Sequence, residues 1–450
     1  MTALSLSFAG LLSTLQSSIG TLLDPRKPSN GRLYSLSDAM LGAFSAFYMQ
    51  STSFLDYQRH LESREGRNNA ESLFGLTQIP SVEQIRNILD QIAAMGLFEV
   101  FDRIYQALEQ QGYLSRFEVL GSNLLVALDG TEYYSSQNIS CPCCSKRTSR
   151  KGQVTYSHKA ILPVIVAPGQ SAVISLSPAF ITPQDGHAKQ DCEQAAAKRW
   201  MSGHHSMAMA RSITLLGDDL FSRQPMCEEA ARNGFNYIFV CLPESHLALY
   251  DWIAFNAANG KVKTVERSVS STAKGDEIWH YRYLNDVPLR AEAPSLSVNW
   301  CELTVTRKSD GQRLYCNSWV TNHALSAQCV IEVATAGRCR WKTENENHNV
   351  LKTKGYNLEH NFGHGQQHLS TMLLTLNLLA FLFHTVLGLA DERYQSIRQI
   401  RGTRKGFFQD ILALTKYLWF ESWNALLDFM LADTTPKKAK RRRRSSRDTS

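Results

Sequence analysis

The sequence has few cysteines, no internal repeat and little net charge outside its last residues. Ten scattered cysteines in 450 residues are too sparse for a disulfide scaffold. A hydrophobic share of 43% and a charged share of 20% exclude a wholly disordered, collagen-like or coiled-coil protein. The chain is therefore expected to be globular, with length enough for two or three domains.

The net charge of +7 comes from the C-terminal tail. The cations that account for it are Lys437, Lys438, Lys440 and the four arginines at 441–444. The body is close to neutral, so an anionic partner must be held by local patches or by this tail. We expect residues 431–450 to be a basic, disordered tail with non-specific affinity for phosphates, the alternative being a solubilising charge run.

Two apolar segments resemble targeting or membrane segments. Residues 1–22 lack a basic start and a small-residue cleavage site, so they are not expected to be a signal peptide. Residues 372–390 are about long enough to span a membrane, but Asn377 and His384 lie in their interior. A buried core helix is the preferred interpretation, and the protein is expected to be cytoplasmic, with no membrane partner.

The first part of the chain has a helical pattern. Residues 34–48 and 81–95 space their apolar side chains at three and four positions. The expected serine caps are Ser35 or Ser37 for the first helix and Ser81 for the second. We expect residues 1–115 to form a helical, DNA-binding domain. The alternative is a helical lead-in that only packs on the next domain.

From residue 116 the pattern predicts an α/β fold with a mixed sheet. Strand-forming runs cover 124–134, 160–181, 212–219 and 235–242, with a helix at 192–209 and a hairpin turn at Pro-Gly-Gln inside 160–181. Residues 251–334 are expected to be a β-rich insertion with a turn at Asp310 and Gly311. The core is expected at 116–250 and 335–430, the latter mainly helical.

Three acidic residues follow or begin regular elements of this core. Asp129 and Asp218 each come at the end of a predicted strand, and Glu344 lies near the start of a helix. Carboxylates at the ends of neighbouring strands converge on the crevice where such folds bind ligands. Converging carboxylates repel one another unless hard cations such as Mg²⁺ or Mn²⁺ bridge them. A pair of such ions suits in-line phosphoryl transfer.

Four segments make the sequence similar to a known family. They are LLVALDGTEYY around Asp129, TLLGDDLF around Asp218, SWVTNH at 318–323 and RWKTENENHNVLKTKGYNLEHNFGHG at 340–365. Together they resemble the DDE transposases of bacterial insertion sequences. The likeness is to the group whose RNase H-like core is interrupted by a β-strand insertion before the final glutamate. It covers roughly residues 120–390.

The resemblance implies a DNA transposase that cleaves transposon ends and joins them to target DNA. Asp129, Asp218 and Glu344 would be the catalytic residues and would bind two Mg²⁺ or Mn²⁺ ions. Arg340, four residues before Glu344 and on the same helical face, would contact phosphates. The resemblance further implies a homodimer acting on paired DNA ends in a bacterial cytoplasm, at the nucleoid.

The sequence departs from the family signature at two positions. Gly337 stands where the signature has a tyrosine, three residues before Arg340. Leu351 stands where the signature has a lysine, seven residues after the glutamate. Lys352, one position later, is therefore the candidate for contacting phosphates or the transposon end.

Two acidic neighbours compete with the assigned residues. Asp219 directly follows Asp218, which is preferred because the first residue past a strand usually points into the crevice. Glu346 competes with Glu344, which is preferred because it keeps the spacing from Arg340.

A cysteine cluster is the second candidate site. Cys141 and Cys144 form a C-x-x-C pair with the spacing of a zinc knuckle. His158, His187 and Cys192 could complete the four ligands of a structural Zn²⁺. Because no second C-x-x-C pair follows, a pair of reduced cysteines in a basic loop is the preferred interpretation, with the zinc site as the alternative.

Basic and histidine residues surround these motifs. The loop after the cysteines contains Lys146, Arg147, Arg150 and Lys151, which could contact the DNA backbone. His348, His360, His364 and His368 follow Glu344 at mostly helical intervals. They are interpreted as a polar helix flank rather than a metal site.

Two other functions remain open from the sequence. One is a related metal-dependent nuclease that cuts DNA without joining it, and the other is a non-catalytic DNA-binding descendant. The complete acidic triad argues against the second.

Overall fold

The computed structural model describes residues 4–27, 33–183, 191–270, 275–360 and 362–434, and it has the expected mixed α/β class. His187 and the basic tail from residue 435 onward lie outside the described residues. The hydrophobic core runs continuously from the N-terminal helices through the sheet to the C-terminal helices.

Helices occupy the N-terminal part, as predicted. They are α1 (Phe8–Gly20), α2 (Leu36–Tyr48), α3 (Phe54–Leu61), α4 (Arg64–Phe74), α5 (Val82–Leu89) and α6 (Phe98–Gln110). The expected caps are confirmed at Ser35 and Ser81, whose hydroxyls accept from the backbone N–H groups of Asp38 and Gln84. Helix α5 ends six residues before the predicted residue 95.

The next part of the chain contains two sheets. Its strands are β1 (Glu118–Val119), β2 (Asn123–Ala127), β3 (Gly130–Ser136), β4 (Ser145–Thr148), β5 (Val154–Ile161), β6 (Val164–Val166), β7 (Ile174–Ser175), β8 (Ala179–Ile181), β9 (Ile213–Gly217) and β10 (Asn236–Val240). In the main sheet the order is β7-β6-β2-β9-β10. Strands β2, β9 and β10 are parallel, β6 is antiparallel to both of its neighbours β2 and β7, and the short β1 pairs antiparallel with β2. The Pro-Gly-Gln hairpin is confirmed between β6 and β7.

The second sheet has the order β3-β5-β4, with β8 paired to β5. Strands β3, β4 and β5 lie between β2 and β6 in the sequence, so the second sheet begins directly after Asp129, and β8 joins it from beyond β7. The sequence did not separate it from the main sheet, because strand propensity says nothing about which sheet a strand joins. We call this second sheet the hairpin sheet; the connection between its strands β3 and β4 contains Cys141, Cys143 and Cys144.

Four helices accompany the parallel strands: α7 (Glu193–Gly203), α8 (His205–Ala210), α9 (Gln224–Arg232) and α10 (Leu247–Ala258). The predicted single helix at 192–209 is broken at His204. The His204 ring stacks on Trp200, with centroids 4.2 Å apart, and its Nδ1 lies 2.8 Å from the Trp200 carbonyl oxygen. This side chain thus ends α7 by bonding its last turn.

Residues 263–321, inside the segment 251–334 that was expected to be a β-rich insertion, form a four-stranded meander, while residues 251–258 and 330–334 of that segment are helical. Its strands are β11 (Lys263–Val269), β12 (Glu277–Pro288), β13 (Ser297–Arg307) and β14 (Arg313–Thr321). The predicted turn at Asp310 and Gly311 joins β13 to β14, and Gly311 has a φ of +70° there. Strand β14 pairs with β10, so the insertion extends the main sheet to ten strands rather than forming a separate layer.

The C-terminal part is helical. It contains α11 (Val330–Arg338), a π-helical turn (Thr343–His348), α12 (Asn349–Thr353), α13 (Leu369–Ala390), α14 (Glu392–Arg401), α15 (Arg404–Tyr417) and α16 (Trp423–Thr434). Helix α16 runs four residues past the boundary predicted for the tail.

Helix α13 is the one helix among the described residues that is long and apolar enough to cross a membrane, and 89% of its most apolar window is buried inside the protein. Its polar residues have partners there. The Asn377 amide donates to the Tyr356 carbonyl oxygen at 2.8 Å, and His384 bonds the Tyr48 carbonyl and the Tyr394 hydroxyl. These contacts agree with the core-helix interpretation.

Candidate functional site

Asp129 and Asp218 lie side by side at the carboxyl ends of adjacent parallel strands. Ala127 of β2 pairs with Leu216 of β9, and each aspartate comes two residues after its paired residue. Neighbouring strands are about 4.8 Å apart, so residues at the same level of both are close. The predicted convergence of these two carboxyl groups is therefore present.

Glu344 joins them from the helical segment that follows α11. One Arg340 guanidinium nitrogen lies 2.7 Å from Glu344 Oε1, and the other terminal nitrogen lies 3.8 Å from Asp129 Oδ2. Arg340 thus bridges two of the three predicted acids. The side chain of Glu344 remains about half exposed, at 53%, which leaves it open to an incoming ligand.

The site has an excess of negative charge. Burial raises the pKa of Asp129 to about 7, against the opposing effect of Arg340, and Glu344, Asp218 and Glu193 raise it further. Burial also raises the pKa values of Asp218 and Glu193. Carboxylates forced together in this way are stabilised when a hard cation binds them.

Glu193 is a fourth carboxylate that the sequence analysis missed. It is the first residue of α7, and a Cβ atom added at Gly130 would lie 2.5 Å from its carboxyl carbon. Because Gly130 has no side chain, the carboxyl group of Glu193 can occupy the space beside Asp129. No local motif marks Glu193, because its approach to Asp129 depends on how α7 packs on the sheet.

The two competing acids are engaged elsewhere. Asp219 Oδ1 accepts from the Leu242 backbone N–H at 2.8 Å and from the Ser245 hydroxyl at 2.6 Å, so it stabilises the loop after β10. Glu346 lines a separate cavity beside His384. The structure accordingly brings Asp218 and Glu344, rather than their neighbours, next to Asp129.

His348 is buried beside this site, and its interpretation as a polar helix flank was wrong. Its Nδ1 lies 3.7 Å from Asp129 Oδ2, and burial lowers its pKa to about 4, so the ring is neutral at pH 7. Its Nε2 has no hydrogen-bond partner among the described residues. A buried neutral imidazole with a nitrogen left unpaired suits contact with a bound ion, water or substrate.

The π-helical turn explains the position of Lys352. Residues seven apart share one face of an α-helix, and a π-helical turn inserts one additional residue. Leu351, seven residues after Glu344, is fully buried, whereas Lys352 is partly exposed and bonded to Glu359 at 2.7 Å. The charge of Lys352 also acts on His348. The π-helical turn therefore accounts for a lysine eight residues after Glu344 instead of seven.

Packing also explains why position 337 is a glycine instead of the tyrosine of the family signature. A Cβ atom there would lie 2.7 Å from Trp319 Nε1 and 3.0 Å from Ile238 Cγ2, both in the buried core. Helix α11 approaches the sheet so closely at this point that no side chain fits. The signature tyrosine is therefore incompatible with this packing.

Cys141 and Cys144 come together with His158 and His364, and this cluster could hold a metal ion. The two sulfurs are 3.7 Å apart, and the two Nε2 atoms are 3.1 Å apart. Cys192, another predicted ligand, is instead exposed at the start of α7 and is not part of the cluster. His187, also a predicted ligand, lies outside the described residues.

His364 was assigned to a polar flank, and this assignment was wrong: it is buried in the Cys/His cluster. Its loop is held by Asp90, whose carboxylate accepts four backbone N–H groups at 2.8 to 3.0 Å. Gly365 has a φ of +70°, and a Cβ there would lie 2.3 Å from Asp90 Oδ1. In the sequence, the glycines on both sides of His364 were the feature that could have indicated a tight loop, rather than a helix, at this histidine.

No protein-family model matches the sequence, and no curated protein is significantly similar to it.

Proposed function

We propose that this protein is a DDE transposase of an insertion sequence, which cuts DNA at transposon ends and joins those ends to target DNA. The observation that carries the proposal is the convergence of Asp129, Asp218 and Glu344, bridged in part by Arg340. An RNase H-like core is part of the proposal. The mixed strand order and the β meander placed between β10 and the helix of Glu344 support it.

The carboxylate site fits hard divalent cations. Its donors are carboxylate oxygens, and its negative charge exceeds that of the one bridging guanidinium. Asp129, Asp218 and Glu344 would hold two Mg²⁺ or Mn²⁺ ions, which would supply the Lewis acidity that an attacking water or 3′-hydroxyl and a departing oxygen require.

The other residues of the site have roles that follow from their positions. Arg340 can exchange its carboxylate contacts for a phosphate, which a planar guanidinium binds bidentately. Lys352 supplies a second cation on the same helical segment. His348, neutral and buried, can accept a hydrogen bond at Nε2 without adding charge.

The partners in this proposal are the terminal inverted repeats and target DNA, bound by a homodimer in the cytoplasm at the nucleoid. The test uses purified protein, Mg²⁺ and DNA that carries the repeats flanking the coding sequence. Cleavage at the ends followed by joining to a second duplex is the expected result. Cleavage without joining indicates the related nuclease, and binding without cleavage in Mg²⁺ or Mn²⁺ leaves only a DNA-binding role.

Mg²⁺ affinity is expected to increase with pH up to about 7. The ion binds the ionised form of Asp129, whose pKa is about 7, so below that pH binding must release a proton. One displaced proton corresponds to a loss of about tenfold in affinity per pH unit. Calorimetric titration with Mg²⁺ at several pH values, in buffers of different ionisation enthalpy, measures both quantities. Affinity that is constant from pH 5 to pH 7 contradicts the proposed ligand.

DNA binding is expected to depend on the basic hairpin between β4 and β5. Arg150 and Lys151 are exposed at its tip, and the hairpin sheet begins directly after Asp129. The double change Arg150→Ala/Lys151→Ala should reduce the slope of log K against log salt by about 0.9 per lost phosphate contact. The matched control is Arg307→Ala/Lys308→Ala, a pair with side chains 37% and 55% exposed that already form ion pairs with Asp310 and Asp276. Equal slopes for wild type and the Arg150/Lys151 variant would contradict the contact.

A further inference from the structure

We infer that Cys141, Cys144, His158 and His364 bind one structural Zn²⁺ ion, which ties the hairpin sheet to the loop that follows the helix of Glu344. The inference goes beyond DNA transposition, because the site contains none of the residues proposed to act on DNA. The ligands come from three places: the β3–β4 connection, strand β5 and the loop before α13.

Five of the six separations between the four ligand atoms are within about 0.3 Å of those in a tetrahedral zinc site, and the sixth, between Cys141 Sγ and His364 Nε2, is at most 4.8 Å. Zn–S bonds of about 2.3 Å and Zn–N bonds of about 2.0–2.1 Å place two sulfurs about 3.8 Å apart, sulfur and nitrogen about 3.6 Å, and two nitrogens about 3.3 Å. The observed Cys141–Cys144 Sγ distance is 3.7 Å, and the two Nε2 atoms are 3.1 Å apart. His158 Nε2 lies 3.5 and 3.4 Å from the sulfurs, and His364 Nε2 lies 3.3 Å from Cys144 Sγ.

The chemistry of the donors also indicates zinc. Two thiolates and two imidazoles, all supplied by the protein, are the ligands of a closed structural zinc site. His364 Nδ1 lies 2.8 Å from the Gly365 carbonyl oxygen and must donate its proton there. This hydrogen bond leaves Nε2 of the neutral ring as a lone-pair donor directed into the cluster. The two thiols are not joined as a disulfide.

The position of the site defines what the ion does. Strand β3 starts at Gly130, the residue after Asp129, and the loop of His364 follows the helix that carries Glu344 and Lys352. The same loop is fastened from α5 by Asp90 and by Arg86, whose Nε donates to the Phe362 carbonyl at 2.7 Å. A bound ion would complete this anchoring and hold segments that follow two of the proposed catalytic residues.

The first test is the metal content of the purified full-length protein, measured by elemental analysis after growth with added zinc. We expect about one zinc per chain, as a closed four-ligand site requires. Cys144→Ser and His364→Asn should lose most of it. The controls are Cys192→Ser and His360→Asn, which remove an exposed cysteine and an exposed histidine outside the cluster.

The second test does not depend on how the variants fold. Wild-type protein stripped with a chelator is titrated with Co²⁺, whose visible spectrum distinguishes tetrahedral thiolate coordination from octahedral oxygen coordination. Hydrogen exchange in residues 355–368 should rise on stripping and fall again when zinc is restored. Protein without zinc that gives no thiolate–cobalt spectrum overturns the metal site, and unchanged exchange overturns its anchoring role. Neither readout involves DNA, so both are independent of the proposed transposase activity.

Discussion

Asp129→Asn is expected to lower the rates of DNA cleavage and strand transfer by about a thousandfold or more, while DNA binding is retained. Removing one preorganised group that stabilises charge in a transition state costs roughly 10²- to 10³-fold, and a lost metal ligand affects both ions of a pair. The change preserves size and removes the charge. Asp129 is central among the predicted acids, since Arg340, Glu344 and Asp218 all act on it.

The same loss is expected for Asp218→Asn and Glu344→Gln, and the chain offers a neighbouring control for each. Asp219→Asn keeps an oxygen that can accept from Leu242, so cleavage should remain close to wild type. Glu346→Gln changes a residue in a different cavity and should also remain active. Gel assays with labelled transposon ends in Mg²⁺ measure both steps, and a binding assay shows that each variant still engages DNA.

The opposite pattern would disprove the assignment. If Asp219→Asn abolishes cleavage while Asp218→Asn remains active, Asp219 is the metal ligand. The same holds for Glu346 if Glu346→Gln abolishes cleavage while Glu344→Gln remains active. If the Asp129→Asn variant cuts at the wild-type rate, this carboxylate is not part of the catalytic site.

Gly337→Tyr is expected to lower the free energy of unfolding by more than about 3 kcal/mol, and Gly337→Ala by about 1–3 kcal/mol. Even one added carbon would lie 2.7 to 3.0 Å from atoms of Trp319 and Ile238, both of which are buried in the core. The destabilisation caused by this overpacking is larger than the stabilisation of roughly 1 kcal/mol that a helix gains when alanine replaces glycine. Denaturant titration followed by circular dichroism measures the difference.

Gly388→Ala is the matched control. Gly388 also lies within a helix, but nothing is within 4 Å of an added Cβ, so stability should rise by up to about 1 kcal/mol. If Gly337→Ala is as stable as wild type, the close approach of α11 to the sheet does not explain the absence of the signature tyrosine.

Features that depend on neighbouring residues could be predicted from the sequence. The serine caps of α2 and α5, the strands before Asp129 and Asp218 and the turn at Gly311 all result from local geometry. The contact of Arg340 with Glu344 belongs to the same class, because a spacing of four residues is itself a distance on a helix.

Features that join distant segments could not be predicted in this way. The sequence offered three residues to complete the metal ligands of the two cysteines. Of the two that lie among the described residues, His158 is in the cluster and Cys192 is not, and the fourth ligand, His364, lies 220 residues after Cys144. The identity of the second aspartate was likewise open, because both candidates follow the same strand. A loop contact made by Asp219 and the register of β9 against β2 separate them.

The sequence by itself thus determined the mixed α/β class, the order of the elements and the acidic residues available at the ends of the strands. The tertiary structure decided which side chains meet: Glu193 and His348 beside Asp129, and His364 with the two cysteines. The physical reason is that local spacing sets secondary structure and short-range contacts. Contacts between distant segments depend on how helices and sheets pack, which periodicity in one segment cannot specify.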